Sequence, residues 1–352
     1  MMNKVFLTDH EIRENLFPFT LTRSAADIRV GILTVREKWE RYLGEKIHIR
    51  EQGDEEQNAI LLSANIIPSQ QFIDSLFVTD EVADRPDWNA VKIIQFPWHI
   101  FLWNDWALRQ DYTLITTGRT SEPIPAGTQV INGGDIFIEP GASLSCCILN
   151  AAAGPIYIGK NAEIMEGSVV RGPFALCEGA KLKMGTKIYG ATTIGPYSIV
   201  GGEVKNSVIF GYTNKAHEGY LGDSVLGEWC NLGAGTSTSN LKNNAGELKI
   251  WNNTTKEFIA SGMSKCGLLM GDYSRAAINT SFNTGTITGV CSNIFGEGLS
   301  PKFIPSFSWG TRGNIRYEFG KAMADIENWK KLKNATLTEQ EKTRLKLIFE
   351  QN

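Results

Sequence analysis

His217 is one of four histidines in a chain of 352 residues. Imidazole has an ordinary pKa of about 6.5, near enough to neutrality to take a proton from an attacking nucleophile. Lys205, Tyr220, Asn231 and Asn240 surround it in sequence, and Lys187 lies further upstream. Two ammonium groups can hold a phosphate, while tyrosine and asparagine can read sugar hydroxyls. Each has a blander fate: a loop histidine can simply be exposed, and most lysines are only solvated. Taken together, these residue types predict a site that grips a phosphorylated, hydroxyl-bearing molecule and moves one proton.

The elements that must position these residues are set by a repeat. Ile158, Ile164, Val170, Leu176, Leu182, Ile188, Ile194 and Val200 fall every six residues without a miss. With Ile, Leu and Val at about a fifth of positions, eight hits in one register have odds on the order of 10⁻⁶. The spacing begins at Ile138 and Leu144, resumes at Leu226 and Leu232, and closes weakly through Met270, Ala276, Phe282, Thr288 and Ile294. A period of six fits neither a helix nor a simple alternating strand. It fits a parallel β-helix whose apolar leaders point inward and whose small residues sit at tight corners. An ordinary β-sandwich with glycine turns is the competing architecture. Register is lost after Val200, which predicts an extruded loop carrying His217. Cys230, at the fifth position of a hexad, reads as a small corner residue, and nothing in the expected chemistry needs a thiol nucleophile.

Glycine marks the domains. Residues 1–125 hold four glycines, Gly31, Gly44, Gly53 and Gly118, whereas residues 126–300 hold 28. The first region reads as mixed α/β. Val5–Thr8, Ile60–Leu62 and Leu76–Val78 are predicted strands. Thr34 with Glu37 forms a capping box that opens a helix ending near Gly44, and Trp98–Leu108 reads as a further helix. Residues 301–352 read as a helical tail, with Phe319, Met323, Ile326 and Trp329 on one face and Leu345, Ile348 and Phe349 on another.

Composition excludes several classes. The net charge is −3, which gives no basic field for nucleic acid. No apolar run reaches the roughly 18 residues of a membrane span, and the opening MMNKVFLTDHEIRE has acids where a signal peptide needs apolar residues. The six cysteines lack CxxC spacing, so neither a zinc site nor a disulfide framework is expected, and no residues are assigned as metal ligands. A cytoplasmic protein is the expectation.

The segment KAHEGYLGDSVLGEWCNLGAGTSTSN resembles the acetyltransferase half of the bifunctional enzymes that acetylate glucosamine-1-phosphate and then uridylylate it. The resemblance is strong over about residues 185–241 and weaker through the rest of 130–300. It implies a left-handed β-helix and acetyl-CoA as co-substrate. It also implies a homotrimer with acyl sites between neighbouring prisms. By the same resemblance His217 is the general base, Tyr220, Asn231 and Lys205 contact the sugar phosphate, and Asn240 lies beside the reacting centre. Where the family has an arginine this chain has Lys187, which keeps the charge and loses the bidentate fork. Where the family has a tyrosine after the later asparagine, this chain has Leu241.

NLFPFTLTRSAADIRVGILTVREKW resembles the stretch of sugar-nucleotide pyrophosphorylases that follows their first strand. The glycine-rich loop expected before it is absent, and Ala25 and Ala26 stand where the lysine is expected. Backbone N–H groups approach phosphate best where glycine permits it. Arg23 remains a candidate nucleotide-binding residue, with a surface helix cap as its other role. Asp105 is a weak candidate for a metal-binding aspartate, because it falls in a predicted helix. The expected fold is therefore a shortened α/β, Rossmann-like nucleotidyltransferase domain, then a left-handed parallel β-helix, then C-terminal helices. Three functions follow from it. The first is an acyl-CoA-dependent acyltransferase acting on an amino sugar phosphate. The second is a sugar-1-phosphate nucleotidyltransferase using Mg²⁺. The third is a non-catalytic sugar-nucleotide-binding scaffold.

Overall fold

The structure is a computed structural model, and it describes residues 4–50, 59–77, 86–311 and 315–351. Strand β1 (Lys4–Thr8) lies between β2 (His48–Ile49) and β3 (Ala59–Ser63) in a parallel sheet. Helix α1 (Val35–Leu43) opens on the expected box: Thr34 Oγ1 accepts from the Glu37 N–H at 3.2 Å, and Glu37 accepts from the Thr34 N–H at 2.7 Å. It closes at Gly44, whose φ of 71° suits glycine. Two expectations change here. Residues assigned to a strand at Leu76–Val78 instead end helix α2 (Gln70–Leu76), because Ser69 caps it by accepting from the Phe72 N–H and Phe72 and Ile73 supply its buried face. Val78 lies outside the described residues. Trp98–Leu108 is divided between α3 (His99–Leu102) and α4 (Asn104–Thr116), which meet at Trp103.

From Gln129 to Ile304 the chain winds as a three-sided parallel β-solenoid with faces of nine, eight and six strands. The eight leaders from Ile158 to Val200 are all at most 1% exposed. They divide among the faces as a three-hexad coil requires: Ile158, Leu176 and Ile194 line one, Ile164, Leu182 and Val200 the second, Val170 and Ile188 the third. The weak closing series is equally real, with Met270, Ala276, Phe282, Thr288 and Ile294 all buried.

The loss of register after Val200 has a different consequence from the one expected. Coils continue unbroken past His217. On the nine-stranded face Leu176 pairs with Ile194, Ile194 with Ile209, Ile209 with Leu226, Leu226 with Met270, and Met270 with Thr288, steps of 18, 15, 17, 44 and 18 residues. Shortened coils therefore carry His217, and the long excursion comes later. That excursion holds the antiparallel hairpin Lys249–Asn252/Glu257–Ala260, which reaches the N-terminal domain. There Asn253 donates to Glu14 at 2.6 Å and Thr254 to Asn15 at 2.7 Å.

Packing leaves the six-stranded face uncovered. Val208, Phe210, Val225, Leu269 and Ile287 project from the nine-stranded face and share a core with β1, α1 and the hairpin's Ile250. The tail forms α5 (Phe319–Lys331) and α6 (Glu339–Gln351), whose buried faces hold Met323, Ile326, Leu345 and Ile348. They pack on the solenoid corner residues Trp229, Tyr273, Cys291 and Phe307. Neither of these two cores includes an outward residue of the six-stranded face. Among the described residues no helix is long and apolar enough to cross a membrane.

Candidate functional site

The open face gathers three of the residues singled out by sequence, Lys187, Lys205 and Tyr220. Its last three strands are Lys187–Tyr189, Glu203–Lys205 and Tyr220–Gly222. Ile188, Val204 and Leu221 are their buried middle residues. Strand alternation therefore turns the flanking residues outward. Lys187, Glu203 and Tyr220 form one row across the strands, and Tyr189, Lys205 and Gly222 form the next. Neighbouring strands lie about 4.8 Å apart, so both lysines and Tyr220 fall within a patch roughly 10 Å across.

Polar contacts order this patch. Lys205 Nζ stands 5.9 Å from the Tyr189 ring centroid. Tyr189 OH donates to Glu203, a bond that, with burial, pushes the Tyr189 phenol up to about 12. Lys187 Nζ lies 4.0 Å from Glu218, both side chains being well exposed. Asn240 Nδ2 donates to Tyr220 OH at 3.1 Å and to Asp223 at 2.5 Å, and Asn206 reaches the other Asp223 oxygen at 2.7 Å. Burial first, then Asp223 and Glu203, raise the Tyr220 pKa, so the phenol stays neutral.

His217 lies on the corner linking the strand Asn214–Lys215 of the eight-stranded face to Tyr220–Gly222 of the open face. It is exposed, and its ring makes no hydrogen bond among the described residues. The corner is packed backbone to backbone. A Cβ at Gly202 would meet His217 O at 2.9 Å, and one at Gly219 (φ 128°) would meet Thr236 O at 2.1 Å.

Asn231 is not on the open face. It lies on the eight-stranded face, paired between Asn214 and Arg275. The tail reaches this row: Lys333 donates to Asn214 at 3.1 Å, and the Arg275 guanidinium lies 5.3 Å from the Trp329 ring. Asn231 and Tyr220 thus occupy the two faces that meet at the His217 corner.

Arg23 is elsewhere, at the joint between the N-terminal domain and the solenoid. Its guanidinium is paired with Asp272, lies 3.4 Å from Glu228, and stacks 5.1 Å over Phe210. Burial opposes its charge, but the two carboxylates outweigh burial and raise its pKa. Asp105 is held by Arg109 at 2.7 Å. Among the described residues no three His, Cys, Asp or Glu side chains converge to hold a metal ion. Cys230 is buried at its corner, 3.2 Å from Gly271 O, and burial pushes its thiol up.

Sequence reasoning missed Tyr189, Glu203, Asn206, Lys215, Glu218 and Asp223. Tyr189 and Glu203 had a legible signal, since each lies two residues from a singled-out lysine on the same short strand.

Parts of the chain match known proteins. Residues 5–82 match the family model described as sugar nucleotidyl transferase. A bifunctional sugar-1-phosphate nucleotidylyltransferase/acetyltransferase of Sulfurisphaera tokodaii is 38% identical over 93 residues, covering 26% of this chain and 23% of that protein. The bifunctional protein GlmU of Synechococcus elongatus is 30% identical over 157 residues, 42% of this chain and 30% of its own length. An uncharacterized acetyltransferase, YaiX, of Escherichia coli is 27% identical over 174 residues, 48% of this chain and 73% of its own length. The chain thus spans less than a third of the bifunctional relatives. It resembles them in joining an N-terminal nucleotidyltransferase-like α/β domain to a region like that of an acetyltransferase.

Proposed function

We propose that this protein is an acyl-CoA-dependent acyltransferase, an N-acetyltransferase acting on an amino sugar phosphate in sugar-nucleotide biosynthesis. The observation that carries this reading is the convergence of Lys187, Lys205 and Tyr220 on one open solenoid face beside the corner bearing His217. The acetyltransferase names of several relatives support it.

In this reading Lys187 and Lys205 hold the phosphate, and Tyr220, fixed by Asn240, contacts the sugar. His217 takes a proton from the acceptor amine as its nitrogen attacks the thioester carbonyl of acetyl-CoA. The C–S bond then breaks, and the departing thiolate of CoA takes up a proton. Backbone N–H groups at a coil edge stabilise the oxyanion. Asn231 acts from the neighbouring face, where a prism of a second copy would complete the cleft. Exposed Ile131 and Val169 on the open face suit such a contact, and the assembly is a homotrimer in the cytoplasm.

The test is thiol release from acetyl-CoA across a panel of amino sugar phosphates. His217→Ala should lose about 10²–10⁴-fold in turnover. Undiminished turnover in that variant would remove the mechanism.

A second reading, sugar-1-phosphate nucleotidyl transfer with Mg²⁺, is favoured by the family match over residues 5–82. It is opposed by Arg23 being engaged with Asp272. Mg²⁺-dependent pyrophosphate release from UTP and a sugar-1-phosphate would promote it.

A further inference from the structure

Lys215 occupies a place where the solenoid has aliphatic side chains. On the eight-stranded face Leu182 pairs with Val200 and Val200 with Lys215, all in the inward row. Leu182 and Val200 are fully buried, and Lys215 is 2% exposed. An ammonium among aliphatic side chains is strongly unfavourable unless something compensates it. Here the side chain turns toward the corner, and Nζ donates to the carbonyl oxygen of His217 at 2.5 Å.

The surroundings make this contact a tie. Outside the prism the corner is pressed between neighbouring coils, because a Cβ at Gly201 would meet Ala216 O at 2.5 Å and one at Gly219 would meet Thr236 O at 2.1 Å. Inside it, Lys215 holds the carbonyl of the residue that carries the imidazole. The charges facing the ammonium are Glu218 on the same corner and Lys187, two strands along the open face from Tyr220. Burial pushes the ammonium down to about 8, with Glu218 working against that shift and Lys187 adding to it.

We infer that Lys215 is a positioning residue, whose buried ammonium fixes the His217 backbone and so the direction in which the imidazole leaves the corner. The inference rests on the acyl-transfer reading and adds to it a residue that touches no substrate. A merely structural lysine and a positioning lysine make opposite predictions for Lys215→Met. Methionine has similar length and belongs in an aliphatic row, so a buried charge is removed without leaving a cavity.

The experiment uses the full chain. Thermal melts and thiol-release kinetics are compared for the parent, Lys215→Met and His217→Ala. Nitrogen-15 spectra of the histidine rings are recorded alongside, with His217 assigned through its alanine variant. Lys215→Met should melt at or above the parent temperature and lose about 10–100-fold in kcat. Its KM for the amino sugar phosphate should change less than about threefold, and the His217 ring resonances should shift. A variant that melts lower or fails to fold assigns Lys215 to stability and overturns the inference. So does unchanged kcat in Lys215→Met beside an inactive His217→Ala, an outcome that leaves acyl transfer standing. Full turnover in His217→Ala removes the acyl-transfer reading itself. If the parent acylates nothing in the panel, unmoved His217 resonances in Lys215→Met overturn the positioning role.

Discussion

Arg23 donates to the carboxylate of Asp272, a partner 249 residues away. The arginine belongs to the stretch that resembles a pyrophosphorylase, and the aspartate to a late coil of the solenoid. Thr22 Oγ1 joins the same carboxylate at 2.5 Å, and the Glu228 N–H donates to its other oxygen at 2.8 Å. A residue that sequence resemblance offers to a nucleotide is thereby built into the joint between two domains.

Arg23→Ala should therefore destabilise the protein. Asp272 is almost fully buried, and removing one partner of a buried pair leaves an uncompensated charge, a loss of about 3–5 kcal/mol. Equilibrium urea denaturation measures it. A loss under about 0.5 kcal/mol, the size expected of a surface substitution, would contradict the joint.

Lys205→Ala should separate from His217→Ala in kinetics. Lys205 holds charge on the open face beside Tyr189 and moves no proton, so its loss should raise KM for the sugar phosphate with little effect on kcat. Equal losses in kcat and kcat/KM would place Lys205 in the transition state instead.

Leu182→Asp should abolish folding of the solenoid. Leu182 is fully buried between Ile164 and Val200, and a carboxylate there has no partner. Circular dichroism and gel filtration check this, and a parent-like melt would contradict the inward row.

The stability gap between Lys215→Met and the parent should depend on pH. In the folded protein the ammonium is pushed down to about 8 from 10.5. Between those values the unfolded chain binds the extra proton, so the parent gains stability as pH rises through that window. The methionine variant has no such proton. Its advantage should be full below pH 8 and shrink toward pH 10.5. Urea melts at pH 7 and pH 10 test the sign, and a gap that widens with pH would contradict it.

The solenoid was legible in sequence because a period of six repeats the same local environment, and each leader faces the same interior whatever the distant chain does. The capping box at Thr34 was legible for a similar reason, since its partners lie three residues apart. The tertiary structure alone decided how coils of unequal length stack. The shortened steps around Ile209 place Lys215 in the inward row and leave His217 on a tight corner rather than an extruded loop. Register between coils follows from backbone pairing across the stack, which residue spacing does not encode once the period changes. It likewise decided that Asn231 and Tyr220 stand on different faces, and that Arg23 meets Asp272. Contacts between residues so far apart in sequence depend on how three packed units settle against one another, and no local pattern carries that information.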